Sequence, residues 1–220
     1  MAHFSSNPYN LKPGDISSGT TIMAVKFDGG VILGADSRTS SGTYVANRVS
    51  DKIVPLHDTI WTCRSGSAAD TQTIADYVRY YISGHATELG RKPRVKTAAN
   101  LISKIIYNNK DRMQAGMICA GYDPYSGGQV FEVPLGGTLM EADFSIGGSG
   151  SAFIYGLVDS LYKPNMSRDE CKAFVTKCVS HAMSRDGSSG GVVRLVVIDK
   201  DGVEKCVIMG DDLPQQPCVP

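Results

Sequence analysis

An α+β protein made of two antiparallel sheets stacked face to face, with a helical pair outside each, is predicted by three features of the sequence. Short apolar runs bounded by turn residues alternate with longer segments of helical periodicity. These come in the order strands, two helices, strands, two helices, strands, which is not the strict βαβα alternation of a doubly wound sheet. No internal repeat or low-complexity linker divides the 220 residues, so a single core houses the whole set.

Taken in order, Thr21 to Phe27 and Val31 to Ala35 are apolar runs on either side of Asp28-Gly29-Gly30, a hairpin signal. Strands follow around Lys52 to Val54 and Thr59 to Arg64. A first helix opens at Ser67 with Ile74, Tyr77, Val78, Tyr81 and Ile82 on one face, and a second carries Ala98, Leu101, Ile102, Ile105 and Ile106 at the same spacing. Strands return at Gly116 to Gly121, Gln129 to Pro134, Gly137 to Glu141 and Phe144 to Gly148, a turn-rich stretch separating the first two. A third helix is predicted over Ser151 to Tyr162. The fourth has the cleanest pattern: Cys171, Phe174, Val175, Cys178, Val179 and Ala182 repeat at helical spacing behind an N-cap at Ser167, with Glu170 three residues on. Strands at Val192 to Asp199 and Val203 to Met209 close the fold around Lys200-Asp201-Gly202.

Composition narrows the function. Twenty-two basic residues balance twenty-two acidic ones, and no Lys/Arg run is long enough to track a phosphate backbone, so neither nucleic acid nor an anionic membrane is an expected partner. The six cysteines (63, 119, 171, 178, 206, 218) sit in apolar segments, with no C-x-x-C pair and no histidine at ligand spacing. Most of them read as reduced core residues of a cytosolic or nuclear protein, and no metal or other cofactor is called for. The first nineteen residues have no basic n-region and no apolar h-region, so they do not form a secretory signal, and no stretch approaches eighteen apolar residues.

Which residues could carry chemistry? Gly187-Ser188-Ser189-Gly190-Gly191 fits the G-x-S-x-G nucleophile elbow, but that elbow needs a strand before the serine and a helix after it, and here the order is reversed. Ser-Gly pairs at 65 to 67 and 147 to 151 lie between a strand and a helix, where they serve as caps or anion sites. The histidines (3, 57, 85, 181) stand in no motif with a nucleophile. A hydrolase without a histidine base needs another group that is neutral near pH 7, and an α-amino group, with a pKa of about 7.7 to 8.0, is one. The apolar run from Thr21 begins abruptly behind Gly19-Thr20. Cutting that bond would give Thr20 a free amine beside its own hydroxyl. Gly19 has no side chain to obstruct attack on its carbonyl, so the chain would uncover its own catalyst.

The blocks G-T-T-I-M-A-V (19 to 25), G-V-I-L-G-A-D-S-R (30 to 38), N-R-V-S-D-K-I (47 to 53), R-S-G-S-A-A-D (64 to 70), G-G-S-G-S (147 to 151) and S-R-D-G-S-S-G-G (184 to 191) resemble the catalytic beta subunits of the 20S proteasome. The R-S-G-S-A-A-D-T-Q block is most similar to the caspase-like type, which cleaves after acidic residues. The resemblance implies an N-terminal-nucleophile hydrolase fold, a four-layer αββα sandwich. It implies a propeptide over residues 1–19, removed at Gly19-Thr20, and a peptidase domain over 20–220. It also implies assembly with other alpha and beta subunits into four stacked rings, unfolded polypeptides as substrates, no cofactor, and a place in cytoplasm and nucleus.

Residue by residue, Thr20 matches the nucleophile, Asp36 and Lys52 the pair beside it, and Gly66 the residue whose N–H holds the oxyanion. Ser149, Asp186 and Ser189 match the polar group around the threonine amine, and Arg64, Thr39, Ser40 and Ala68 match substrate-binding positions. Physically, Lys52 would lower the proton affinity of the threonine groups while Asp36 compensates its charge. Arg64, two residues before Gly66, would offer a cation to a substrate carboxylate; its bland alternative is a surface pair with Asp70 or another acid. Two rival readings remain at this point: a non-catalytic ring subunit of the same fold, and a serine hydrolase using Ser189.

Overall fold

The computed structural model describes residues 19–41 and 44–213. Twelve strands and four α-helices are present among them. In chain order these are β1 (Ile22–Phe27), β2 (Gly30–Ala35), β3 (Thr39–Ser41), β4 (Tyr44–Asn47), β5 (Ile53–His57), β6 (Ile60–Gly66), α1 (Ala68–Leu89), α2 (Val95–Asn108), β7 (Ala115–Asp123), β8 (Gly127–Val133), β9 (Met140–Ala142), β10 (Phe144–Gly147), α3 (Tyr155–Leu161), α4 (Arg168–Arg185), β11 (Val193–Asp199) and β12 (Gly202–Ile208). One five-stranded sheet runs β10-β1-β2-β11-β12 and the other β5-β6-β7-β8-β9, with every pairing antiparallel.

Four layers follow from strand alternation. On β1, Ile22 and Ala24 point between the sheets, where they meet Ile53, Trp61, Cys63, Ile118 and Val130 of the second sheet. Met23 and Val25 point the other way, onto Val158, Phe174, Val175 and Cys178 of α3 and α4. Outside the second sheet, Cys119, Phe131 and Val133 receive Ile74, Val78, Ile82, Ala98 and Ile102 of α1 and α2. This is the αββα sandwich that the element order predicts. Gly34 sets how close α4 comes, since a Cβ there would lie 2.3 Å from Val175 Cγ1.

The N-cap predicted at Ser167 is present as a capping box, with Ser167 N–H donating to Glu170 Oε2 at 2.8 Å. Four cysteines (63, 119, 171, 178) are buried free thiols, and burial pushes Cys119, Cys171 and Cys178 up to about 12, which removes them as nucleophiles. Cys218, and all of the proposed propeptide except Gly19, lie outside the described residues.

Several expectations need correction. The third helix is two pieces, a 3-10 turn over Ser149–Phe153 and then α3, interrupted at the fully buried Ile154. Gly150 is wedged on β1, its would-be Cβ 1.9 Å from Thr21 Oγ1, so the turn is held by packing and not by helix propensity. The strand expected at Gly137 to Glu141 begins only at Met140, because Gly136 and Gly137 take positive φ and Gly137 N–H closes a turn on Pro134 O at 3.0 Å. Tyr77 and Tyr81 are exposed: the buried stripe of α1 runs through Thr71, Ile74, Ala75, Val78 and Ile82, leaving the tyrosines on its flank. The pair β3–β4 was not predicted, since its polar sequence shows no alternation.

Candidate active site

Thr20 is buried, 3% exposed, two residues ahead of the first residue of β1. Its backbone N–H donates to Ser149 Oγ at 3.0 Å, and Ser149 Oγ donates to Asp186 Oδ2 at 2.7 Å. Ser149 arrives there because β10 runs beside β1 and ends at Gly147, and the next residue, Gly148, has a φ of 85° and no Cβ, which lets the backbone press on the Thr20 carbonyl. Asp186 arrives as the residue that ends α4. Its Oδ2 also accepts from Ser189 Oγ at 2.6 Å, and Ser189 Oγ lies 2.8 Å from Thr21 Oγ1. With the Ser189 proton committed to the carboxylate, the Thr21 hydroxyl is the donor in that last contact. One carboxylate thus orders three hydroxyls around the Thr20 amide.

The second cluster is ionic. Ile22 pairs with Ala35, so the next residue of β2's strand line, Asp36, falls opposite Thr21. Asp36 is fully buried and accepts four hydrogen bonds. Oδ1 accepts from Lys52 Nζ at 2.6 Å and Thr21 N–H at 2.9 Å; Oδ2 accepts from Gly190 N–H at 3.0 Å and Arg38 N–H at 3.1 Å. Lys52, itself 6% exposed, also donates to the Gly19 carbonyl oxygen at 2.9 Å. Burial lowers the Lys52 pKa from its ordinary value, against the opposing pull of Asp36. The ammonium therefore touches the carbonyl of the Gly19-Thr20 bond itself.

Gly66 ends β6 at φ 103°, and a Cβ there would meet Gln114 O at 2.3 Å, so only glycine fits. It lines a cleft of about 400 Å³ together with Ser149, the residue whose hydroxyl accepts from Thr20 N–H. Arg64 donates through Nη2 to Asp51 O at 3.1 Å, its Nε is buried without a partner, and burial lowers its pKa. The surface pair with Asp70 is absent: among the described residues no carboxylate lies within ion-pair distance of Arg64, and Asp70 Oδ2 accepts from Gln114 N–H at 3.0 Å. Thr39 and Ser40 lie on β3, Thr39 Oγ1 donating to Ser50 Oγ at 2.9 Å, two residues before Lys52. Ala68 opens α1, two residues past Gly66.

The serine-hydrolase rival loses its geometry. Ser189 is fully buried between α4 and β11, and its hydroxyl is held by Asp186, so it has neither the exposure nor the strand-turn-helix setting of an elbow. Sequence reasoning missed Arg38 and Ser188. Arg38 Nη1 donates to Gly187 O at 3.0 Å and its guanidinium covers Gly190, pinning the loop that carries Asp186 and Ser189. Ser188 packs on Gly19, where a Cβ would lie 2.0 Å from Ser188 Cβ. Both stand inside quoted motifs, D-S-R and G-S-S-G-G, so the signal was present without a role attached.

A sandwich of this layering, with a threonine buried at the head of its first strand and a lysine beside it, defines the class of N-terminal-nucleophile hydrolases. The family model described as "Proteasome subunit" matches residues 16–198. "Proteasome subunit beta type-6" of Dictyostelium discoideum is 56% identical over 200 residues, 91% of this chain and 94% of the relative. "Proteasome subunit beta type-1" of Saccharomyces cerevisiae is 50% identical over 205 residues (93% and 95%), and "Proteasome subunit beta type-9" of Homo sapiens 51% over 204 residues (93% and 93%). The chain belongs to the proteasome subunit family, on its beta side, and is a threonine peptidase of the proteasome core that assembles with other proteasome subunits.

Proposed function

We propose that the chain is the caspase-like beta subunit in precursor form, with residues 1–19 as propeptide and 20–220 as peptidase domain. The observation that carries this reading is the Lys52 contact to Gly19 O at 2.9 Å, which holds the junction carbonyl against a cation. In self-cleavage the Thr20 hydroxyl attacks that carbonyl and the acyl group passes from nitrogen to oxygen, which breaks the Gly19-Thr20 amide and frees the Thr20 amine; water then hydrolyses the ester, restoring the Thr20 hydroxyl and releasing residues 1–19 with a Gly19 carboxylate. In turnover that amine takes the hydroxyl proton as Thr20 Oγ attacks the substrate carbonyl. Gly66 N–H stabilises the oxyanion, the leaving amine receives the proton, and water then hydrolyses the Thr20 ester, releasing the acyl product as a carboxylic acid and restoring the hydroxyl. Lys52 lowers the proton affinity of both threonine groups; Asp36 holds Lys52 in place. Ser149, Asp186 and Ser189 orient the amine once it is free, along the hydrogen-bond chain that now serves the amide.

Arg64, with Thr39, Ser40 and Ala68 beside the bound chain, sets the preference for an acidic residue before the cleaved bond. A half-buried guanidinium with an unpartnered Nε favours a carboxylate and leaves an unpaired charge against an apolar side chain. The unfolded polypeptide substrates are cut inside a four-ring stack of alpha and beta subunits in cytoplasm and nucleus, as part of ATP- and ubiquitin-dependent degradation. The test is a panel of fluorogenic peptides differing only in the residue before the cut, read in the assembled particle with the other active subunits disabled. Arg64→Leu is expected to lose the preference for Glu over Leu by tenfold or more. An unchanged profile would assign specificity to another residue.

A further inference from the structure

The cleft that Gly66 shares with Ser149 is larger than the oxyanion chemistry needs, and its chemistry differs from that of the Arg64 side. β6 lies between β5 and β7 in its sheet. Arg64 reaches toward β5, to Asp51 O, while the cleft opens the other way, over Ile118 of β7, Glu132 of β8, Leu135 and Tyr155. The Gly19-Thr20 peptide is flanked in the same sense, since its carbonyl oxygen accepts from Lys52 and its N–H, pointing the opposite way across a trans peptide, donates to Ser149. Gly147 keeps the floor open: a Cβ there would sit 3.3 Å from Ile22 and 4.0 Å from Ile118. Ile118 and Glu132 are directly paired across β7 and β8, so the carboxylate stands over the apolar floor. No Lys or Arg lines the cleft, and Glu132 has no ion-pair partner among the described residues.

The geometry points to this cleft as the site for substrate side chains that follow the cleaved bond. There Glu132 with Ile118, Leu135 and Tyr155 selects apolar or basic residues and rejects acidic ones. The inference rests on the reading of Thr20 as nucleophile and of the Arg64 side as the acyl side. A chain crossing Thr20 enters from one flank and leaves by the other, so the residue after the cut meets the Glu132 cleft. The two flanks then carry opposite charge, a guanidinium before the cut and a carboxylate after it. A side chain of like charge beside Glu132 is disfavoured, and one of apolar character gains from Ile118 and Leu135.

The experiment uses internally quenched peptides cleaved by the assembled particle with the other active subunits disabled, with Leu, Lys or Asp at the first position after the cut. Two parallel sets carry Glu or Leu before the cut. Rates are compared as ratios within one particle, so differing amounts of active enzyme cancel. Wild type is expected to cleave before Leu at least tenfold faster than before Asp, with Lys between them. Glu132→Gln is expected to shrink the Leu-to-Asp ratio by about tenfold, and Leu135→Ser, at a position 63% exposed where folding is not at stake, to reduce the Leu-to-Lys ratio several-fold. A flat wild-type profile after the cut, or a Leu-to-Asp ratio unchanged in Glu132→Gln, overturns the inference. Should Glu132→Gln not assemble, an unchanged Leu-to-Lys ratio in Leu135→Ser overturns it instead. Loss of the Glu-over-Leu preference before the cut, with the after-cut ratios intact, would count against the Arg64 reading alone.

Discussion

Asp36→Asn is the sharpest perturbation of the ionic cluster. The carboxylate takes two donors on each oxygen, all of them in a fully buried setting. Asparagine keeps the shape but turns one oxygen into an NH₂ group. If the amide nitrogen takes the Oδ2 position it faces the N–H groups of Arg38 and Gly190, donor against donor; in the other orientation it faces Lys52 and Thr21. Either way the Lys52 ammonium loses its counter-charge in a buried site. Breaking a buried pair by removing one partner costs about 3–5 kcal/mol. With a urea slope of about 2 kcal/mol/M, the unfolding midpoint should fall by about 1.5–2.5 M. The assay is equilibrium urea denaturation of the full precursor chain followed by fluorescence of Trp61, the sole tryptophan, which is 6% exposed between the sheets. Adding Lys52→Met to Asp36→Asn should recover part of the loss, because the stranded charge is gone. A single-variant shift under about 0.5 M, or no recovery in the double variant, would refute the picture of a buried charge pair held by its surroundings.

Lys52→Arg is expected to assemble yet lose most turnover, about a hundredfold or more. A planar guanidinium cannot occupy a 6%-exposed pocket shaped for one ammonium between Asp36 Oδ1 and the junction carbonyl. Near-normal kcat/KM in the assembled particle would return Lys52 to a structural role. Gly66→Ala is expected to cost about 1–3 kcal/mol by the same urea assay and to depress kcat, since its φ of 103° and the Gln114 carbonyl exclude a Cβ. An alanine variant with wild-type stability and rate would show that the loop relaxes freely.

The layers were legible because they rest on periodicity. Ile22, Met23, Ala24 and Val25 form a short unbroken apolar run, as a strand buried on both faces requires, and Phe174, Val175, Cys178 and Val179 repeat at helical spacing, so strand and helix are told apart even though the run does not say which side chain meets which layer. The Ser151 to Tyr162 helix and the Gly137 strand were misread where glycines at positive φ and contacts to distant strands override local preference. At the site, Thr20 was named from its residue type and its junction with Gly19, and Asp36, Lys52 and Gly66 from the resemblance to the family. Their convergence was invisible, because Asp36, which follows β2 in one sheet, reaches Lys52, whose carbonyl accepts from Arg64 N–H on β6 of the other, only where the two sheets stack, and Asp186 reaches Ser149 only through α4 lying on β1. Arg64 illustrates the difference most clearly. Its sequence neighbourhood offered Asp70, whereas strand geometry sends its guanidinium to Asp51 O.

Thr20 is expected to become the N-terminal residue and to act as the nucleophile. N-terminal sequencing of the chain isolated from the assembled particle, paired with peptidase activity of Thr20→Ala, tests it most directly. The expected result is Thr20 at the mature end of the wild type, with residues 1–19 retained and peptidase activity abolished in Thr20→Ala. An active wild-type particle whose chain still carries residues ahead of Thr20, or retained activity in Thr20→Ala, would contradict it.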